Sequence, residues 1–428
     1  MKGDQLMSSP EENKKLYDER LKRLHDAAIG KEPDRVPILE PGTNTFPYHD
    51  AGYTMAEISY DLEKTKDAIR KYLLKYEIDS GHSFASCFEG MGPMLEKSKS
   101  KVFEWAGKPG GVIDKNSIQQ FQEFPTLLED EFDQLLGDYG SFLTTKFLPR
   151  NFGVFDPMEH LDLTASLGYG GFSYLDLALF FMRPDAQEMV KELAELGGMW
   201  LEYLGELGAF AAEVEQMGFP IFSGAPTLAS FDIYSDIMRG TIGASMDLYD
   251  SPDQVYEFLC RLNARTIAKL KARPPAPDRL AFIPMHKGMD GFLSDEHYKK
   301  FYWDHLYEII LTIIDLGAIP YVYTEGRYST RMKYLKDLPK GKTVVHFEEI
   351  DMAWAKKELG DIACLSGGFP ATLLYWNTKE RVIEETKRLL DVCAPGGGFI
   401  FDLDGGLYES KRENVEALFD TIKTYGKY

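Results

Sequence analysis

Apolar residues fall along this chain in two alternating patterns, short unbroken runs and stripes at three- and four-residue steps. The runs at 36–40, 219–222, 280–283, 319–323, 343–347, 362–365 and 398–403 predict strands buried on both faces. Between them, Leu306, Ile309, Ile310, Ile313 and Ile314 share one helical face, as do Val382, Ile383, Thr386, Leu389 and Leu390, and later Val415, Leu418, Phe419 and Ile422. These stripes face a core and carry no chemistry. Residues 11–28 predict a further amphipathic helix, with Leu16, Leu21, Leu24 and Ala28 on one side and Gly30 after its end.

Strand, helix and strand in series require parallel pairing through right-handed crossovers. The expected fold is an α/β chain, a TIM-type (β/α)8 barrel in a single domain over 1–428. An N-terminal helical extension occupies 1–30, and residues 95–150, short and aromatic-rich, fit no βα repeat and are expected as an inserted cap. An open doubly wound sheet is the alternative. Against it, no strand is followed by GxGxxG, and Gly396-Gly397-Gly398 precedes a strand instead of opening a helix.

Composition narrows the function. With 428 residues, 44% of them hydrophobic, the chain can bury a large core. Its 68 acidic and 48 basic residues leave a net charge of −20, which sets it against nucleic acid and anionic membranes. Cys87, Cys260, Cys364 and Cys393 form no CxxC pair, so neither a thiolate zinc cluster nor a disulfide framework is expected. The first thirty residues lack the apolar core of a signal peptide, and the run at 309–314 is too short to span a bilayer, so a cytoplasmic location is expected.

Candidate chemistry lies where the runs end, because barrel enzymes work at the carboxyl ends of their strands. Glu325 follows the run at 319–323 and His346 follows Thr343-Val344-Val345, with twenty residues between them. Their oxygen and nitrogen donors suit zinc, whose catalytic sites use three protein ligands and leave one position vacant. Each also has a structural reading. Glu325 could cap a helix or pair with Arg327 or Arg331, and His346 could be a core histidine bonded to a backbone carbonyl.

The segment 284–291 ends another strand and presents His286, Lys287 and Asp290, with His286 a candidate third ligand or substrate contact; the alternative is a simple turn at Asp290-Gly291. Asp402 and Asp404 face one way beyond the last strand, as further metal or orienting groups or as turn carboxylates. Ser366-Gly367-Gly368 allows a close backbone approach or makes a plain loop. Phe46, Tyr48, Tyr323 and Tyr328 could hold a flat substrate, or simply pack. His49, His82 and His160 lack ligand spacing and are read as structural.

The order of motifs resembles the uroporphyrinogen decarboxylase superfamily. Pro33-Asp34-Arg35-Val36-Pro37 is similar to its opening, and residues 358–368, 377–383, 396–400 and 413–415 to its final barrel units. The superfamily's decarboxylases hold substrate propionates with an arginine-rich first loop, whereas residues 40–48 contain no arginine. Its coenzyme M methyltransferases place a His-x-Cys pair on zinc where this chain has Tyr323-Thr324-Glu325, and a later cysteine near Gly405.

The chain is more similar to the substrate-side methyltransferases of corrinoid-dependent, ether-cleaving O-demethylases, with their Glu-x20-His zinc pair, here Glu325 and His346. Their upstream glutamate corresponds to Ile310, with Glu308 and Asp315 nearby. The resemblance implies methyl transfer from a methoxylated aromatic to the cobalt of a partner corrinoid protein, with zinc polarising the ether oxygen. His286, Lys287, Asp290, Tyr323, Phe46 and Tyr48 are the expected substrate contacts, and His286 also a catalytic group. The alternatives are a methyltransferase for another methyl donor, a metal-free decarboxylase or lyase using Asp290, His286 and Tyr323, and a non-catalytic corrinoid- or ligand-binding protein.

Overall fold

The structure, a computed structural model, describes residues 9–39, 44–82, 84, 86–162, 173–224 and 227–428. Helix α1, Pro10–Ala28, begins where the Ser9 hydroxyl accepts the Glu12 N–H, with Pro10 in the first turn, where a missing N–H is harmless. Leu24, Ala27 and Ala28 are fully buried on its inner face and join a core cluster with Leu280, Ile319, Val344, Cys364 and Ile400. The N-terminal helix therefore closes the end of the sheet where these strands begin.

Six strands pair in sequence order, all parallel: β1 (Ser223–Gly224), β2 (Leu280–Met285), β3 (Ile319–Arg327), β4 (Val344–Glu349), β5 (Cys364–Gly367) and β6 (Phe399–Ile400). Further helices include α2 (Ser173–Phe181), α3 (Pro184–Gln216), α4 (Pro252–Ala272), α5 (Asp304–Asp315), α6 (Lys379–Cys393) and α7 (Arg412–Tyr425). The predicted stripes are the buried faces: Leu306, Ile309, Ile310 and Ile313 on α5, Val382 and Leu389 on α6, and Val415, Leu418 and Ile422 on α7 are each 0% exposed.

Beyond the outer strands, parallel bridges join Ile38 to Phe401 and Gly81 to Ile221, and the Ile38 carbonyl accepts from the N–H groups of Asp79 and Ser80. The run at 36–39 forms bridges instead of the strand expected there. Pro37 removes one ladder donor, and Glu40 lies outside the described residues. Around it, Arg23 grips Asp34 through two hydrogen bonds of 2.6 Å, while fully buried Asp79 accepts from Arg23, Arg35 and the Ile38 N–H. This network ties the 33–37 motif to α1.

Six parallel strands in chain order form the sheet of a partial barrel. Residues 95–150 hold short helices and a small antiparallel pair, Phe103–Glu104 with Gln120–Phe121, and no parallel strand. Among the described residues, no helix is long and apolar enough to cross a membrane.

Candidate active site

Strand alternation sends every second residue to one face, so Tyr321, Tyr323 and Glu325 climb one side of β3 as Val344, His346 and Glu348 climb β4. Tyr323 and His346 are register partners. Past Thr324 the register slips, with Gly326 at φ +82°, a conformation that favours glycine. Such irregularities re-aim side chains, and Glu325 stands at this one.

The lower part of this face is closed. Tyr321 donates to Asp402 at 2.6 Å, and burial pushes the Asp402 carboxyl up to about 7. One rung above, the His346 ring is 0% exposed and stacks on Tyr323, with centroids 3.8 Å apart and planes within 8°. Its Nε2 lies 2.7 Å from the Leu403 carbonyl, which only accepts, so Nε2 carries the proton. Nδ1 has no partner among the described residues. Burial holds the imidazole neutral, with its pKa pushed down to about 3 despite the carbonyl bond.

Gly367 makes room for this ring. A Cβ there would meet the Phe347 carbonyl at 2.3 Å and His346 Nε2 at 2.7 Å. Gly367, at the end of β5, thus serves the imidazole packed beside it, while Gly368 gives room to Met352.

At the rim the surroundings change. His286, just past β2, donates from Nδ1 to Asp236 at 2.6 Å and turns Nε2 toward Glu325 Oε1, 3.6 Å away. Burial opposes charge on His286, but the Asp236 hydrogen bond and the Glu325 carboxylate together raise its pKa to about 9. Burial, with Asp236 nearby, raises Glu325 against the pull of His286 and Lys287. Lys287 Nζ lies 3.2 Å from Asp236. Asp232, fully buried, accepts from the N–H groups of His286 and Lys287 and from the Tyr302 hydroxyl, and so fixes the loop that carries the imidazole. Asp232 caps and Asp236 lies within a π-helical segment, Ile233–Arg239, a geometry frequent at functional sites.

Beside this pair is a cleft of about 560 Å³ lined by Met289, Asp290, Gly326, Arg327, Glu348, Glu349 and Asp404. The size suits a small ligand. Glu348 accepts from the Gly326 N–H at 2.5 Å, and burial together with Glu325 and Asp404 brings its pKa up to about 7. Asp404 accepts from the Ala371 N–H, and burial raises it as well.

The residues singled out by sequence are thus divided. His286, Lys287 and Glu325 come together at the rim, while Tyr323 and His346 lie stacked beneath it. Asp290 lines the cleft but is occupied, accepting from the N–H and hydroxyl of Thr330. Tyr48 is buried and donates to Glu89, and Phe46 packs against Tyr72 and Tyr76, so neither ring lines this cleft. Tyr328 is fully buried and donates to the Met285 carbonyl. Ile310 is buried on α5, and Glu308 on the same helix is bonded to Asn263.

Sequence reasoning missed Asp232, Asp236 and Glu348. The alternation that selected His346 also selects Glu348, two residues on. For the aspartates, a four-residue spacing was the available signal.

A model of the uroporphyrinogen decarboxylase (URO-D) family matches residues 207–425, just over half of the chain, and the chain belongs to that family. It is 24% identical over 206 residues to the uroporphyrinogen decarboxylase of Carboxydothermus hydrogenoformans, covering 47% of this chain and 57% of that one. It is 25% identical over 214 residues to that of Aromatoleum aromaticum, covering 48% and 58%. The match thus spans little more than half the length of these curated relatives. Among solved structures, a methyltransferase from Methanosarcina mazei superposes over 95% of this chain and 98% of its own, with a TM-score of 0.57 and 13% identity. The likeness at that identity is one of fold.

Proposed function

We propose that this protein transfers a methyl group from a methyl ether, in our reading a methoxylated aromatic, to the corrinoid of a separate protein, and that Glu325 and His286 are the groups that activate the ether. The sheet would close into an eight-membered barrel through the segments at 36–39 and 78–82. The observation that carries the reading is the imidazole held between Asp236 and Glu325, the latter next in sequence to Gly326, which lines the cleft.

This pair suits a metal. Two donors bound at 2.0–2.2 Å to one tetrahedral ion stand roughly 3.4 Å apart, and Nε2 and Oε1 are separated by 3.6 Å. Asp236 on Nδ1 is the carboxylate partner that a ligand histidine ordinarily has. His346 fits less well: its Nδ1 is left free among the described residues by the Nε2 bond to the Leu403 carbonyl, but the ring is 0% exposed and stacked on Tyr323, whereas His286 Nε2 faces Glu325. We therefore assign the metal pair to Glu325 and His286 in place of Glu325 and His346. Among the described residues no three such side chains converge, and Glu348, whose carboxyl feels the charge of Glu325, is a further donor on the next strand.

A zinc ion at this position would act as a Lewis acid on the ether oxygen, a contribution of several kcal/mol. The methyl carbon–oxygen bond breaks with its electron pair left on oxygen, and the methyl passes to the reduced corrinoid. Glu325 and His286 hold the position of the departing oxygen, and Lys287 can neutralise its charge. Glu348, whose carboxyl is raised to about 7 by burial and then by Glu325 and Asp404, can supply the proton. The acidic cleft and the net charge of −20 oppose a polyanionic tetrapyrrole, which supports a methyl donor over decarboxylation.

A metal-free acid–base reading is favoured by one observation, the raised pKa of His286, which would make it a proton donor at neutral pH. Zinc analysis and methyl-transfer assays on wild type, Glu325→Ala and His286→Ala separate the readings. Loss of both metal and transfer in each variant is expected. Wild-type activity without stoichiometric metal would end the zinc assignment, and full activity in both variants would end the site.

A further inference from the structure

Every basic side chain around the cleft is already matched. Among the described residues, the cleft lining holds Arg327 and the rim pair adds His286 and Lys287. Arg327 Nη2 lies 3.2 Å from Glu349, Lys287 Nζ lies 3.2 Å from Asp236, and the His286 imidazole stands between Asp236 and Glu325. The next cation along the chain, Arg331, is 3% exposed and donates to the carbonyls of Gly288 and Leu293. It is closed to a ligand.

The acidic groups are not matched in the same way. Glu348 and Asp404 line the cleft and accept from the backbone N–H groups of Gly326 and Ala371, and among the described residues neither pairs with a basic side chain. Asp290, a third carboxylate on the lining, accepts from Thr330. The internal segments outside the described residues, 40–43, 83, 85, 163–172 and 225–226, contain no lysine, arginine or histidine in sequence. Whatever their positions, they bring no counter-ion.

A ligand carboxylate entering this cleft would leave water without a cation to receive it and would come beside other carboxylates. Both oppose binding. A zinc ion on Glu325 and His286 does not relieve them, because its open position is the one the ether oxygen takes. An uncharged hydroxyl or amide avoids both costs and finds hydrogen-bond acceptors in the unmatched carboxyls.

We propose that the methyl donor carries no acidic group: the cleft takes methoxyarenes whose other substituents are uncharged and turns away methoxybenzoates. The proposal rests on the methyl-transfer reading and narrows it. Discrimination of this kind comes from repulsion of the wrong ligand as much as from contacts with the right one.

Donors of one shape and different charge test it. Isothermal titration of the zinc-supplied wild type with meta- and para-methoxybenzamide and with the corresponding methoxybenzoates compares them directly. Each amide is expected to bind at least about 10-fold more tightly than its acid, since like charges a few ångströms apart at an effective dielectric of about 20 repel by more than that factor. The amides should also be the better donors when methyl transfer to a reduced corrinoid is followed. Glu349→Ala supplies the converse: it removes an exposed side chain and leaves Arg327 unmatched, so the acids should gain about 3- to 5-fold in affinity while the amides keep theirs. Wild type that binds the acids as tightly as the amides overturns the proposal, and so does a Glu349→Ala variant that binds the acids no better; transfer from the acids would then leave the methyl-transfer reading intact. Transfer from none of the four ethers refutes that reading and this proposal with it.

Discussion

Two histidines, one rung apart in height, occupy opposite kinds of environment. His346 lies in the interior, stacked on Tyr323, its single donated proton on a backbone carbonyl and its ring neutral. His286 lies at the rim between two carboxylates, cationic at neutral pH in the metal-free protein, its Nε2 facing Glu325. Depth alone makes the difference. The same alternation that points a side chain inward delivers it to packed rings low on a strand and to solvent and charge near its end, so a residue's height is as informative as its type.

The contrast is broken most severely by removing the rim pair. His286→Ala or Glu325→Ala is expected to lower methyl transfer by roughly 10² to 10⁴, the range for groups acting on the reacting atoms, with melting temperature little changed. Initial rates with a methoxyarene and a reduced corrinoid protein check this, and near-wild-type rates in either variant would refute it. Gly367→Ala attacks the interior instead. With a carbonyl and an imidazole nitrogen both inside 3 Å of the new methyl, a loss of at least roughly 3 kcal/mol is expected in denaturant titration; an unchanged midpoint would mean that His346 can move aside.

His346→Ala is expected to cost roughly 2–4 kcal/mol, from the cavity and the stranded Leu403 carbonyl, while zinc content stays at the wild-type level. Asp236→Asn acts on the rim through its neighbour, and a 10- to 100-fold loss of metal affinity is expected. Competition with a chromophoric chelator measures it, and an unaltered affinity would separate Asp236 from the site.

The smallest effect is on pH dependence. His286 is raised from 6.5 to about 9, Glu348 from 4.5 to about 7 and Asp402 from 3.8 to about 7. A folded pKa above the unfolded one stabilises at low pH and loses that contribution as pH rises through the folded value. All three act in one direction, but His346, lowered from 6.5 to about 3, acts the other way and gains stability up to about pH 6.5. Above that range the metal-free protein should lose stability to about pH 9 through His286. Melting curves at pH 7 and 9 should show the decline, and His286→Ala should flatten it; an equal decline in that variant would contradict the assignment.

Much of the fold was legible because burial on both faces and helical stripes leave strong marks, as on α5 and β3. The run at 36–39 read as a strand because its residues are apolar, but Pro37 cannot support a ladder. The site was harder. Glu325 and His286 each follow a strand and were visible, yet nothing in the sequence states that the slipped register at Gly326 turns Glu325 toward His286. Nor does it show that the Leu403 carbonyl takes the His346 proton. Asp236 reaches the site from a widened helical turn, which has no periodic signature. Tyr48 illustrates the opposite error, an aromatic near a rim loop that folds inward to a buried carboxylate.

The account stands on His286 as the rim ligand and His346 as a core residue. Zinc bound per chain after equilibrium dialysis of His286→Ala and His346→Ala measures this directly. The account predicts that the first variant loses the metal and the second retains it; retention by His286→Ala with loss from a folded His346→Ala would contradict it.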